Sequence, residues 1–105
     1  MTGVFVTFRY GDRFDGIAAQ KIAETAQAHF MGIPGLRSKT FTINAASREV
    51  INFYVWDSDE AAKAFFTDDR LEKITTVYGL RPRIDFVHVA ALVENHHTSS
   101  SRCDG

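Results

Sequence analysis

Apolar and polar positions along the chain change period several times. Val4 to Tyr10 reads V-F-V-T-F-R-Y, a β-branched and aromatic run that predicts a strand, and Gly11-Asp12 breaks it. From about Phe14 to Phe30 the period becomes helical. Ala19, Ile22, Ala23, Ala26 and Phe30 fall on one face, with Gln20, Lys21, Glu24 and Gln27 on the other. Asp12 or Asp15 can cap the start, and Gly32 with Pro34-Gly35 stops the helix. A second strand is expected from Leu36 to Ile43, a hairpin loop over Asn44 to Arg48, and a third strand from Glu49 to Trp56. Asp57-Ser58-Asp59-Glu60 signals a helix start, with Asp57 or Ser58 as cap. That helix runs to about Phe66. After Thr67-Asp68-Asp69, another helical stretch runs from Arg70 to Tyr78 and puts Leu71, Ile74, Val77 and Tyr78 on one side. Gly79 ends it, and a last strand is expected from Ile84 to Val93.

The predicted order is β-α-β-β-α-β. Two right-handed crossovers joined by a central hairpin give a ferredoxin-like α+β fold, with an antiparallel sheet of order 4-1-3-2 and the helices on one face. Residues 1–94 form this one domain, and 95–105, rich in Ser and His, are expected to be a disordered tail.

The second sheet face is the unusual feature. On strand three, Ile51, Phe53 and Val55 suit the helices and leave Val50, Asn52, Tyr54 and Trp56 opposite. On strand four, Val87, Val89, Ala91 and Val93 suit them and leave Ile84, Phe86, His88, Ala90 and Leu92. On strand one, Val4, Val6 and Phe8 leave Phe5, Thr7 and Arg9. The second face would then show Phe5, Val50, Tyr54, Trp56, Phe86 and Leu92 to water. A large apolar patch marks an interface or a ligand site. A second copy of the sheet is the simplest cover, giving a barrel-like homodimer. A small apolar pocket is expected between each sheet and its helices or in the barrel mouth. Strand parity carries this argument, because a one-residue slip exchanges the faces. A four-residue hairpin loop, Asn44 to Ser47, pairs Ile43 with Arg48 and puts Lys39 opposite Asn52 on the cavity side, and a five-residue loop reverses that.

Composition narrows the classes. The 105 residues carry 45% hydrophobic and 12% aromatic positions, nine of them Phe, a large apolar load for so short a chain. A formal net charge of −1 argues against general binding to nucleic acid or anionic membranes. Cys103 is the single cysteine, which excludes an internal disulfide. No apolar run approaches the roughly 20 residues that span a bilayer, and no signal-peptide pattern opens the chain. A cytoplasmic location is the expectation.

Several residues carry candidate chemistry. His88, mid-strand among apolar neighbours, could serve as a general base or as a core histidine with one hydrogen bond. Arg9 could hold an acidic or phenolate group, or pair with Asp85 at a strand end. Asn52 is an amide on a buried strand, costly unless paired, so it points to a wet cavity or a ligand contact. His88, Arg9 and Asn52 are therefore the catalytic candidates. Phe5, Thr7, Lys39, Tyr54, Trp56 and Phe86 are the substrate-contact candidates, the aromatics by stacking and Lys39 as a polar anchor. Their bland alternatives are dimer-core packing and, for Lys39, snorkelling from an edge strand. His96-His97 points to opposite faces if extended and lacks a third ligand, so no metal site is expected. His29 suits a helix C-terminus. No phosphate loop, dinucleotide fingerprint or G-x-S-x-G occurs.

The pattern I-P-G-L-R-S-K-T-F-T (Ile33 to Thr42), followed by N-F-Y-V-W-D-S-D-E-A-A-K-A-F (Asn52 to Phe65), resembles the dimeric α+β barrel superfamily, most closely its YdhR-like monooxygenases. Trp56 and the helix after it also look like the antibiotic-biosynthesis type monooxygenases. The resemblance covers about Val4 to Asn95. It carries Lys39 and Tyr54 over as pocket candidates, and it departs at Ile51 and Asn52, where YdhR-like chains tend to have glycines. It implies a cofactor-independent monooxygenase acting as a homodimer on a small aromatic or polyketide-like molecule. The alternatives are an isomerase or lyase in the same pocket, or a non-enzymatic binding or stress-response protein. A cavity below about 300 Å³ favours the last.

Overall fold

The structure is a computed structural model and describes residues 1–95. Its elements are β1 (Thr2–Arg9), α1 (Gly16–Ala26), β2 (Leu36–Asn44), β3 (Glu49–Trp56), α2 (Asp59–Phe65), α3 (Asp68–Tyr78) and β4 (Arg83–His88). Short 3₁₀ turns lie at Gly11–Arg13 and at Gln27–Phe30, so the predicted first helix ends in a tighter turn. Each α-helix starts on a side-chain cap. Asp15 accepts from the Ala18 amide, Ser58 from Ala61 and Thr67 from Arg70. Gly79 closes α3 in the left-handed conformation, at φ 83°.

The strand order is β2-β3-β1-β4, all neighbours antiparallel, which is the expected ferredoxin-like sheet. Its core face carries Val4, Val6, Phe8, Val50, Tyr54 and Trp56 against Ala19 of α1 and Ala62 of α2, with Ile74 of α3 packed alongside. Gly35, at φ +81°, lets the chain into β2 pass close to α2. A Cβ there would sit 2.6 Å from that of Ala61.

The register corrects the expected parity of β3. Directly opposed residues share a face, and Val4 opposes Tyr54, Val6 opposes Asn52 and Phe8 opposes Val50. Val50, Asn52, Tyr54 and Trp56 therefore face the helices. Strand β3 is apolar on both sides, so alternation alone could not orient it. The same correction applies to β4. Phe86 opposes Val4 and Ile84 opposes Val6, which puts both on the helix side, where Phe86 meets Phe66 edge-on. β4 also ends at His88 rather than Val93; past the 3.1 Å bond from the Val89 amide to Met1, 90–95 are not strand.

The hairpin turns through the four residues 45–48, with Asn44 opposing Glu49. The Asn44 side chain accepts from the Ser47 amide and Arg48 takes a left-handed conformation, at φ 58°. The loop thus begins one residue later than expected and Ile43 pairs with Val50 rather than Arg48, so Lys39 opposes Tyr54 rather than Asn52 while sharing the face of both. A bulge between Leu36 and Ser38 absorbs Arg37.

The open face has an apolar centre made of different residues from those expected, bordered by Thr7, Thr40, Thr42 and the Arg9–Glu49 and Arg83–Asp85 pairs. Phe5 meets Phe53 at a centroid distance of 4.5 Å, and Ile51, Val55 and Val87 share their side of the sheet. Of the six residues predicted for this face, only Phe5 lies there. His96, His97 and Cys103 lie outside the described residues.

Candidate active site

The register brings β1, β2 and β3 side chains under the helices, and there a pocket of about 170 Å³ opens. Val6, Lys39, Asn52 and Tyr54 form its floor. Ile22 and Ala26 of α1, Phe30, Phe65 of α2, and Ile74, Val77 and Tyr78 of α3 form most of its walls. This is the first of the two expected positions, between the sheet and its helices.

Two polar groups stand in this apolar surround. Asn52 is fully buried, and its Nδ2 donates to the Tyr78 hydroxyl at 2.9 Å. Its Oδ1 is buried with no partner among the described residues. An orphaned buried acceptor costs about 1–3 kcal/mol, so its presence calls for a reason. The Tyr78 ring is stacked on Phe8 at 4.0 Å, and the Tyr10 hydroxyl donates to the Tyr78 carbonyl at 2.7 Å. These contacts fix the end of α3 over the sheet. The Tyr78 hydroxyl accepts from Asn52 and keeps its own proton to offer, so the pair presents one donor and one acceptor. Burial raises the Tyr78 pKa, with the Asn52 hydrogen bond acting the other way. Tyr54 is also raised, mainly by burial and then by Tyr78, with Arg70 opposing. Both phenols stay protonated at neutral pH.

Lys39 is the third polar group. Its Nζ lies 3.4 Å from the centre of the Phe30 ring, 4.2 Å from Phe41 and 4.5 Å from Tyr54. Burial lowers its pKa from 10.5 to about 7. The ring faces act in the opposite sense, each by about 0.5–2 kcal/mol.

Asn52, Tyr54 and Lys39 are thus brought together, though on the helix side of the sheet. Trp56 lies on the same side, stacked on Tyr54 at 6.0 Å and packed by Phe65, but beyond the pocket wall. Its buried Nε1 has no partner among the described residues. Phe86 packs on Phe66, away from the pocket. The other candidates lie elsewhere. Phe5 and Thr7 are on the open face. Arg9 pairs with Glu49 at 3.0 Å at the sheet end, not with Asp85, which binds Arg83. His88 is exposed at the end of β4, opposite Thr2, not buried mid-strand. Sequence reasoning missed the helical contribution: Ile22, His29, Phe30, Arg70, Lys73 and Tyr78. Tyr78 carried a usable signal, a hydroxyl on an apolar helical stripe. Among the described residues no three His, Cys, Asp or Glu side chains gather as a metal site. No helix there is long and apolar enough to cross a membrane.

No protein-family model matches the chain, and no curated protein matches it in sequence. Solved structures do. A monooxygenase from the gene ActVA-Orf6 of Streptomyces coelicolor, in complex with nanaomycin D, is 21% identical, with 90% of this chain and 92% of that one covered at a TM-score of 0.65. The NE2512 protein of unknown function from Nitrosomonas europaea is 14% identical over 91% and 95%, at 0.68. A ferredoxin-fold protein of Listeria monocytogenes related to antibiotic biosynthesis monooxygenases is 20% identical over 87% and 57%, at 0.63. These likenesses establish the class of fold. The chain is a ferredoxin-like α+β domain, of the form found in antibiotic-biosynthesis monooxygenases and their structural relatives.

Proposed function

We propose that the protein is a cofactor-independent monooxygenase acting on a small electron-rich aromatic substrate in the pocket under α1 and α3. The observation that carries this reading is the Asn52–Tyr78 pair. It presents one free acceptor and one free donor inside an otherwise apolar cavity. Its likeness in fold to the Streptomyces monooxygenase supports the same reading.

The reaction balances without a further reactant. An activated methylene, as in a 2-tetralone, loses a proton to become a carbanion. The carbanion passes electrons to dioxygen, and the two combine as a peroxide on carbon. Loss of water leaves a ketone, so R₂CH₂ and O₂ give R₂CO and H₂O. Asn52 and Tyr78 orient the substrate oxygen by hydrogen bonds. The lining of Ile22, Phe30, Phe65 and Ile74 keeps water from the carbanion. Lys39, whose proton affinity burial brings to near neutrality, takes the proton.

The open face of the sheet is the proposed homodimer interface. Phe5, Ile51, Phe53 and Val87 give it an apolar centre that another copy would cover, within a border of Thr side chains and ion pairs.

Oxygen uptake with one- and two-ring substrates of the 2-tetralone and hydroquinone types tests the reaction. Uptake should fall about tenfold or more in Asn52→Leu and Tyr78→Phe, the loss expected when one oriented hydrogen bond is removed, and stay unchanged in His88→Ala. No uptake over the panel would remove the oxygenase reading for these classes, and anaerobic conversion would favour the isomerase or lyase. One observation favours a second reading, a non-enzymatic binding protein. The pocket, at about 170 Å³, is smaller than the roughly 300 Å³ at which typical small-molecule sites begin. It matches a molecule of one or two rings.

A further inference from the structure

The charges that line the pocket are one-sided. Lys39, Arg70 and Lys73 reach it, and no carboxylate does. The chain as a whole carries 12 Lys and Arg against 13 Asp and Glu, so the imbalance is local. Helix α3 shows how local. Asp68, Asp69 and Glu72 lie on the same helix as Arg70 and Lys73, yet only the basic pair lines the pocket.

Lys39 is the most buried of the three. Three aromatic rings surround its amine, and among the described residues it forms no ion pair. An amine withdrawn from water without a counter-charge holds its proton only weakly, a costly arrangement for packing alone. It becomes favourable when a ligand brings the missing charge. Arg70 and Lys73 are exposed around the pocket, where they would draw an anion toward it. The guanidinium of Arg70 lies on the Phe65 ring at 4.4 Å, held toward the pocket.

We infer that the pocket selects a planar aromatic oxyanion, a body of one or two rings bearing a carboxylate, enolate or phenolate group, seated with its charged oxygen on Lys39. This deepens the pocket reading above and rests on it, but it does not depend on oxygen chemistry.

Two probes with the same two-ring body test it by calorimetric titration at neutral pH: 2-naphthoate, an anion, and 2-naphthalenemethanol, which is uncharged. The wild-type protein should bind naphthoate about tenfold more tightly than the alcohol, as a charge-assisted contact predicts. Lys39→Met, close in size, should abolish the preference and leave the alcohol's affinity in place. Equal affinities for the two probes, binding of neither, or a preference that survives Lys39→Met would overturn the inference. A second variant does not touch the core. Arg70→Gln with Lys73→Gln should weaken naphthoate by roughly two- to fivefold, the scale of exposed charges, and leave the alcohol unaffected. Equal loss for both probes would also overturn it. Binding is read without turnover. Anion preference without oxygen uptake would therefore remove only the oxygenase reading, and uptake on neutral substrates without anion preference would remove only this one.

Discussion

The side-chain amide of Asn52 donates to the hydroxyl of Tyr78 across 2.9 Å, and this bond ties the middle of β3 to the last turn of α3. It leaves the Asn52 Oδ1 buried and unpartnered. Asn52→Leu removes the orphaned acceptor along with the hydrogen bond, two effects of opposite sign. Stability should therefore change by no more than about 1 kcal/mol. Ligand affinity and oxygen uptake should fall about tenfold in the same variant. A melting experiment beside the uptake assay checks this. A large loss of stability with unchanged activity would make Asn52 a structural residue.

The pH dependence of stability should report Lys39. Its neighbours in the pocket are Tyr54 on β3, His29 after α1, and Arg70, Lys73 and Tyr78 on α3, with no carboxylate among them. Burial lowers its pKa from 10.5 to about 7, so between those values the unfolded chain binds the proton and the folded one does not. Stability should rise with pH from about 7 to 10, at no more than about 1.4 kcal/mol per unit and less for a side chain still in partial contact with water. Above about 10 the trend should reverse, because Tyr10, Tyr54 and Tyr78 are raised and hold protons that the unfolded chain has released. Denaturant melts across this range would show it. Lys39→Met should flatten the rise and leave the fall.

Gly35→Ala should be strongly destabilising. The residue sits at φ +81°, and the added methyl would approach the Ala61 Cβ to 2.6 Å. The left-handed conformation costs about 1–2 kcal/mol and the overlap a further 1–3. The Gly35 carbonyl also accepts from the Asp57 amide at 2.8 Å, so a backbone shift would disturb the start of α2. Chemical denaturation should show a loss of about 2–5 kcal/mol, and a loss below about 1 would contradict the close approach.

The proposed dimer depends on the open face. Phe5 and Phe53 are adjacent there, at 4.5 Å. Light scattering of the wild type should give about twice the chain mass of 11.8 kDa, and Phe5→Asp should give the single-chain mass with the fold retained. A wild-type protein of single-chain mass at micromolar concentration would refute the interface. Trp56 is no test of it, since its ring lies in the monomer core. Trp56→Ala should instead cost about 3–5 kcal/mol of stability.

The amino-acid pattern by itself determined the elements and their order. The caps at Asp15 and Ser58, the stop at Gly79 and the Glu49–Trp56 strand are local features, written in residues within a turn or two of each other, whereas the Thr67 cap was read as a break and α3 begins two residues earlier than expected. The β-α-β-β-α-β order then leaves few sheet topologies open, and the β2-β3-β1-β4 order follows. Lys39, Asn52 and Tyr54 were legible as polar or aromatic exceptions on apolar strands. Their side of the sheet was not. Strand β3 is apolar on both faces, and only its pairing of Val6 with Asn52 decides which face meets the helices. The pocket wall was hidden for the same reason. Tyr78 is 26 residues from Asn52 in the chain, and their contact exists only once α3 crosses β3. Local propensity acts over a few residues, whereas register and helix docking are settled by burial summed over the whole sheet, which no short stretch of sequence records.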